Sequence, residues 1–366
     1  MNKVVCSPAD YFVLKHQIII TDMEVIKQDI RTEYFDFSIL NEYFGGRSFA
    51  TFDIETMGLD PRRAPMILAG FMAVEPDGNA TITQYFLDRP EEEHILLDAV
   101  IEKLNSYDFV ITYNGRRFDL PYVIKRYHMI NHEDPDIRSF DLDLLPALRG
   151  FSGLKGVLSS LSQKSVEEYM GLSSYRTDLI SGGESVELYY NYLTEKDPVA
   201  RDGLRRLILL HNSDDVLQLY RLLPILRQCD LHAAAFKLGF PVYQEDQMLN
   251  IQNIKLSSKN LTASGSYSGE AISYHGYSTM ERPYEVIFTK ERTFKVVIPV
   301  MKEGEAIYVN LLDFFRCEGD EGANDPIPQE LKDCAGFVND FLILRNGKDN
   351  NSRDVNLFVK KLLEKI

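Results

Sequence analysis

Asp53 and Glu55 stand two residues apart in Phe52-Asp-Ile-Glu-Thr56. On an extended chain such residues project from one face, so their carboxylates meet. If that face is partly buried, their repulsion calls for a divalent cation between them; on a solvated face no cation is needed. The flanking Ala50, Phe52 and Ile54 favour a central strand. A second group is Ile111-Thr-Tyr-Asn-Gly-Arg-Arg-Phe-Asp-Leu-Pro121, where Asn114-Gly115 ends a strand and Asp119 opens a helix. Asp119 there is either a helix cap or a third acid. Arg116 and Arg117 beside it are either a solvated turn or contacts for phosphate. The third group is Leu210-His-Asn-Ser-Asp-Asp-Val216. His211 and Asp215, four apart, share a helix face, which suits an ion pair or a functional pair, with Asp214 a competitor.

The elements that must position these groups read as an α/β order. Ser48–Glu55, Met66–Ala73 and Ala80–Leu87 form strands, with a turn at Pro76-Asp-Gly-Asn79. A helix follows over Ile95, Leu96, Ala99, Val100 and Leu104, its start marked by Glu91, Glu92 and Glu93. Phe109–Thr112 is a short buried strand and Leu120–His128 a second helix. From Leu154 to Leu226 the pattern is helical, broken at Ser181-Gly-Gly183. This order implies a mixed sheet flanked by helices. Beyond residue 230 the texture changes. Tyr284–Phe288, Thr293–Val300 and Ala306–Phe315 read as a β-meander, then an acidic loop at Glu318–Pro328, then helices at Gln329–Leu344 and Asp354–Lys365. The expected division is a lead-in over 1–47 (with a strand in Phe12–Ile20), an α/β domain over 48–228, and an α+β region over 231–366.

Composition bounds the function. The 366 residues are 45% hydrophobic and 26% charged, the balance of a globular protein rather than a disordered or disulfide-scaffolded one. No apolar run approaches the ~18–20 residues of a membrane span. The N-terminal residues lack a signal peptide's apolar segment. Cys6, Cys229, Cys317 and Cys334 are scattered without zinc-ligand spacing and read as reduced cysteines of a cytoplasmic protein. The net charge of −15 argues against coating nucleic acid by bulk attraction. Residues 231–366 carry 16 basic and 19 acidic side chains, so most of the acid excess lies in the first 230 residues, with the motifs.

In combination and order, the motifs over residues 48–226 resemble the DEDD superfamily of 3′→5′ exonucleases on the ribonuclease-H-like fold, and within it the YprB-like family. Asp141-Leu142, Arg176-Thr-Asp178 with Gly182, and Val186-Glu-Leu-Tyr-Tyr190 add less specific agreement. The resemblance implies a ribonuclease-H-like fold and hydrolysis of DNA or RNA from a free 3′ end by two Mg²⁺ or Mn²⁺ ions. It implies Asp53, Glu55, Asp119 and Asp215 as metal ligands and His211 as the base acting on water. It further implies Thr56, Asn114, Arg116, Arg117 and Phe118 as substrate-binding positions. One departure is visible: histidine belongs to the branch with five-residue separation, whereas His211 and Asp215 are four apart, the spacing of the tyrosine branch. Arg116, Arg117, Lys125, Arg126, Lys155 and Arg176 are candidates for a basic rim, and Tyr113, Phe118 or Tyr122 for base stacking, although each ring also suits the core. A silent nucleic-acid-binding module and a metal-stabilised interaction protein are the competing readings. The resemblance does not reach residues 231–366, where Tyr267, Tyr274, Tyr277 and Tyr284 suit either packing or stacking.

Overall fold

The structure is a computed structural model that describes residues 15–20, 23–75, 77–177, 182–245, 247–316 and 326–366. Cys6, Pro76, Asp178, Ser181, Cys317, residues 12–14 of the first expected strand and most of the acidic loop lie outside the described residues. The chain divides into two compact units, one of residues 1–149 and 153–228 and the other of 150–152 and 229–366. No helix among the described residues is long and apolar enough to cross a membrane.

In the first unit the elements run β1 (Lys15–Ile20), β2 (Met23–Arg31), α1 (Asn41–Phe44), β3 (Phe49–Thr56), β4 (Met66–Val74), β5 (Asn79–Leu87), α2 (Glu93–Asn105), β6 (Phe109–Thr112), α3 (Asp119–Asn131), β7 (Phe140–Asp143), α4 (Leu144–Phe151), α5 (Gln163–Tyr169), α6 (Gly182–Thr194) and α7 (Pro198–Arg221). They build a seven-stranded mixed sheet in the order β1-β2-β5-β4-β3-β6-β7. β3 pairs antiparallel with β4 and parallel with β6, and β6 runs parallel to β7. The expected mixed α/β sheet is therefore observed. Its central strands β3, β4 and β6 are buried along nearly their whole length because helices cover both faces. On one face Ala50, Phe52 and Ile54 pack with Leu96, Leu97 and Val100 of α2 and with Tyr122 and Val123 of α3. On the other, Ile67, Leu68 and Phe86 pack with Tyr189 and Tyr192 of α6 and Ile208 and Leu209 of α7.

The second unit holds α8 (Leu231–Leu238) and a six-stranded sheet of β8 (Phe240–Tyr243), β9 (Met248–Leu256), β10 (Asn260–Tyr267), β11 (Tyr274–Gly276), β12 (Glu285–Phe288) and β13 (Thr293–Pro299). A smaller sheet of β14 (Met301–Glu303), β15 (Ala306–Asn310), β16 (Phe337–Val338), β17 (Phe341–Asn346) and β18 (Asp349–Asn350) follows, with α9 (Leu312–Phe315), α10 (Gln329–Lys332) and α11 (Ser352–Leu363). Two expectations are corrected. The strand over Ala306–Phe315 stops at Asn310 and turns into α9. The helix over Gln329–Leu344 stops at Lys332, because Asn339 and Asp340 adopt positive φ (47° and 69°) and join β16 to β17 in a tight hairpin. Leu342 and Leu344 then alternate into the core at strand period. Tyr267 and Tyr284 are buried, while Tyr274 and Tyr277 are exposed.

Candidate active site

The site forms where α7 crosses the sheet. Asp53 on β3, Gly70 on β4 and Gln84 on β5 lie side by side across the strands. Gly70 leaves the gap into which α7 presses Asn212: a Cβ on Gly70 would stand 2.1 Å from Asn212 Oδ1. Asn212 Nδ2 donates to Asp53 Oδ2 at 3.0 Å, and its Oδ1 accepts from Gln84 Nε2 at 3.0 Å. Thr51 Oγ1 fixes the same crossing through the Val216 carbonyl at 2.8 Å. One helical turn then brings His211 and Asp215 over Glu55.

His211 Nε2 lies 3.5 Å from Glu55 Oε1 and 3.6 Å from Asp215 Oδ2, and its side chain is buried. Glu55, His211 and Asp215 each offer a ligand atom, and those atoms lie within 4.8 Å of one another. Ser185 of α6 donates to Glu55 Oε2 at 2.9 Å. Asp214 points elsewhere; its Oδ2 accepts from the Thr177 N–H and hydroxyl at 2.6 and 2.8 Å. Asp215, rather than Asp214, therefore lies beside His211 and Glu55.

Asp119 is the first residue of α3, but no side chain caps that helix. Its Oδ1 accepts instead from the Ile54 N–H at 3.3 Å, which seats it beside Asp53 and Glu55. The preceding loop is held by Asp143, whose carboxylate accepts from the backbone N–H groups of Asn114 (2.7 Å), Arg116 (3.2 Å) and Leu145 (3.1 Å). Asn114 takes a positive φ of 72°, and Gly115 is required because a Cβ there would stand 2.2 Å from Thr112 Oγ1.

Burial, then the nearby Asp215, Asp119 and Glu55 carboxylates, hold Asp53 well above the usual carboxylate range. Burial, with Asp141 adding to it, pushes Asp119 up to about 8, and burial with Asp143 pushes Asp141 up to about 7. Crowded, desolvated carboxylates of this kind are eased by a cation of matching charge. The donor set of carboxylate oxygens with one imidazole and no thiol fits Mg²⁺ or Mn²⁺.

The other motif positions divide. Thr56 is buried, with Oγ1 donating to the Gly58 carbonyl at 2.9 Å. Arg116 Nη2 donates to the Asp141 carbonyl at 2.9 Å, and its guanidinium lies 5.3 Å above the Phe140 ring, so it braces the loop. Phe118 is half-buried against Tyr122, and Arg117 is exposed. Of the remaining rim cations, Lys125 and Lys155 are exposed, whereas Arg126 pairs with buried Glu93 and Arg176 turns inward. Tyr113 donates to the Leu161 carbonyl and Tyr122 is buried, as core rings. Asn212, Ser185 and Asp143 were not singled out from sequence. An Asn amid apolar helix residues and a Gly inside an apolar strand were the available signals.

The fold and this site define a ribonuclease-H-like domain. The family model described as RNase_H superfamily matches residues 50–227. YprB of Bacillus subtilis (strain 168) is 31% identical over 173 residues, covering 47% of this chain and 40% of that protein. Residues 50–227 thus form a YprB-like domain of the RNase_H superfamily. A DNA polymerase of Methanocaldococcus jannaschii is 34% identical over 84 residues, covering 20% of this chain and 5% of that protein. The chain thus spans well under half the length of either relative. Exonuclease I of Methylocaldum szegediense is 14% identical at a TM-score of 0.33, covering 59% of this chain and 54% of that one.

Proposed function

We propose that this protein is a divalent-cation-dependent nuclease that removes nucleotides from the 3′ end of DNA or RNA. The observation that carries the reading is the meeting of Glu55 and Asp215 at buried His211, with Asp119 seated on the Ile54 N–H and Asp53 held well above the usual carboxylate range by burial and by the surrounding acids. A fold keeps such mutually repelling carboxylates together at a cost to its own stability, which a catalytic site explains and a structural role does not. The RNase_H superfamily match and the likeness to a DNA polymerase over 84 residues support a nucleic-acid substrate. A pair of Mg²⁺ or Mn²⁺ ions on the four carboxylates would supply Lewis-acid stabilisation of the scissile phosphate and of the leaving oxygen.

The chain's own groups do the rest. His211 Nε2 orients the attacking water and takes its proton. Water oxygen bonds to phosphorus, the bond to the 3′ oxygen of the preceding nucleotide breaks, that oxygen takes up a proton from solvent to become the new 3′-hydroxyl, and a nucleoside 5′-monophosphate leaves. Glu55 and Asp215 flank His211 and favour the imidazolium that forms. Exposed Arg117, Lys125 and Lys155 provide local attraction for phosphates in an otherwise acidic unit, and Phe118 offers a ring to a terminal base. The test is degradation of end-labelled single- and double-stranded DNA and RNA in Mn²⁺. Release of 5′-mononucleotides from the 3′ end by the wild type, lost in Asp53→Asn, is the expected result. No degradation of any of the four substrates would sink the reading.

A further inference from the structure

Arg176 is a candidate rim cation by sequence, yet its side chain is only 9% exposed and it meets Asp215 through Oδ1, the oxygen other than the one that faces His211. Its Nη2 stands 2.7 Å from Asp215 Oδ1 and 2.8 Å from Glu167 Oε1, and its Nε donates to Glu167 Oε2 at 3.0 Å. Glu167, on α5, is buried and meets the guanidinium with both oxygens, a two-point pairing that fixes the plane of the fork. The same helix reaches Asp215 a second time, where Gln163 Nε2 donates to the Asp215 carbonyl at 3.2 Å. Asp215 is the most exposed group in this set, at 19%, and a short carboxylate at a partly open helix face has several rotamers to choose from. With Oδ1 held by Arg176, its Oδ2 is left facing His211 and Glu55.

We propose that Arg176, itself oriented by Glu167, is a positioning residue that sets the Asp215 carboxylate for cation binding, taking Oδ1 and presenting Oδ2 to the site. It touches neither substrate nor cation in this role. The inference rests on the reading of the carboxylate cluster as a cation site. A salt bridge serving stability alone needs one carboxylate; here one guanidinium joins a buried anchor to a residue of the site. Arginine suits the task and lysine does not, because only a planar fork can hold two carboxylates in fixed orientation.

Mn²⁺ titration calorimetry on the full chain tests this, with R176Q, E167Q, R176K and the E167Q/R176Q double variant. Loss of a group that orients a ligand typically weakens metal binding ~10–100-fold. R176Q and E167Q should each weaken Mn²⁺ binding by that factor, although Glu167 makes no contact with Asp215 in this scheme. The double variant should be no weaker than the worse single one, since both act through one pathway. R176K should keep the loss. The double variant also leaves no buried Glu167 without a counter-charge, so it carries the test if R176Q alone unfolds by circular dichroism. Unchanged Mn²⁺ affinity in a folded R176Q or double variant overturns the inference and leaves the cation site standing. Full recovery by R176K overturns it too, since charge alone would then suffice. No Mn²⁺ binding by the wild type overturns the cation reading itself, and this inference with it.

Discussion

Around β3 and β6 the first unit buries Glu55, Asp119, Asp141 and Asp143 almost completely, with Asp53 partly covered beside them; the second unit buries one carboxylate, Asp354, among the described residues. Asp354 has an ordinary structural task, since its Oδ2 accepts from the Gly336 N–H at 2.8 Å and ties the small sheet to α11. Asp143 in the first unit behaves likewise, with three backbone donors on its carboxylate. Asp53 differs. Its Oδ2 accepts from the Asn212 amide, and its neighbours are other acids. Burial of a carboxylate is therefore not the sign of a site. The sign is burial in which other carboxylates, rather than N–H groups, supply the company.

The strongest test of that contrast sets Asp53→Asn against Asp354→Ala. Asp53→Asn removes a ligand while keeping the shape, so nuclease activity should be abolished. Because the same change relieves a crowded buried charge, melting temperature in EDTA should hold or rise. Asp354→Ala leaves the Gly336 N–H without its acceptor and should cost ~1–3 kcal/mol by urea denaturation. A fall in metal-free stability for Asp53→Asn as large as that for Asp354→Ala would erase the distinction.

His211→Ala comes next. If the imidazole handles the water proton, kcat should fall by ~10²–10⁴. Calorimetric Mn²⁺ affinity should change far less than in Asp215→Asn, which acts on the ligand set itself. Equal, small effects from the two changes would reduce them to a structural ion pair.

What the sequence disclosed follows the same division. The strand of Asp53 and Glu55, the short strand at Phe109–Thr112 and the helix start at Asp119 were legible because period, turn residues and charge agreed locally. The four acids and His211 were legible as candidates, and the structure sets Glu55 and Asp215 at His211 and Asp119 on the Ile54 N–H. Contacts made across the sheet were not legible. Nothing near Gly70 in sequence tells that Asn212 will occupy its missing side chain. Arg176 looked like a rim cation because its partners, Glu167 and Asp215, are 9 and 39 residues distant. In the second unit the strands β8–β11 went unread, since residues 240–276 are rich in polar, weakly periodic stretches. Asn339-Asp340 was a hairpin signal overridden by the apolar run around it.

Two glycines with equally tight surroundings sharpen the comparison on a smaller scale. A Cβ on Gly70 would stand 2.1 Å from Asn212 Oδ1, and one on Gly265 would stand 1.9 Å from the Asn250 carbonyl oxygen. Gly70→Ala and Gly265→Ala should both destabilise, by ~1–3 kcal/mol from overpacking. Only Gly70→Ala should also weaken Mn²⁺ binding, because it displaces the amide that holds Asp53. If Gly265→Ala weakened it equally, the effect would report general loosening of the chain.

The last expected effect is the pH dependence of the metal-free protein. Asp119 and Asp141 keep their protons up to about 8 and about 7 when folded, against an ordinary value of 3.8. Between those limits the folded state holds more protons than the unfolded state, so raising the pH favours unfolding. Their contribution is thus fully present in acid and is lost as pH rises through the folded values. This opposes the usual behaviour of paired carboxylates, whose contribution is lost as pH falls. In EDTA, urea midpoints should therefore decline from about pH 5 to about pH 8. Asp119→Asn should flatten that slope. Saturating Mn²⁺ should flatten it as well, since a bound cation stabilises the ionised form of the cluster and offsets the cost of losing those protons. A metal-free slope that rises over the same window would mean that the first unit's acids are held by donors, as Asp354 is, and the contrast between the two units would disappear.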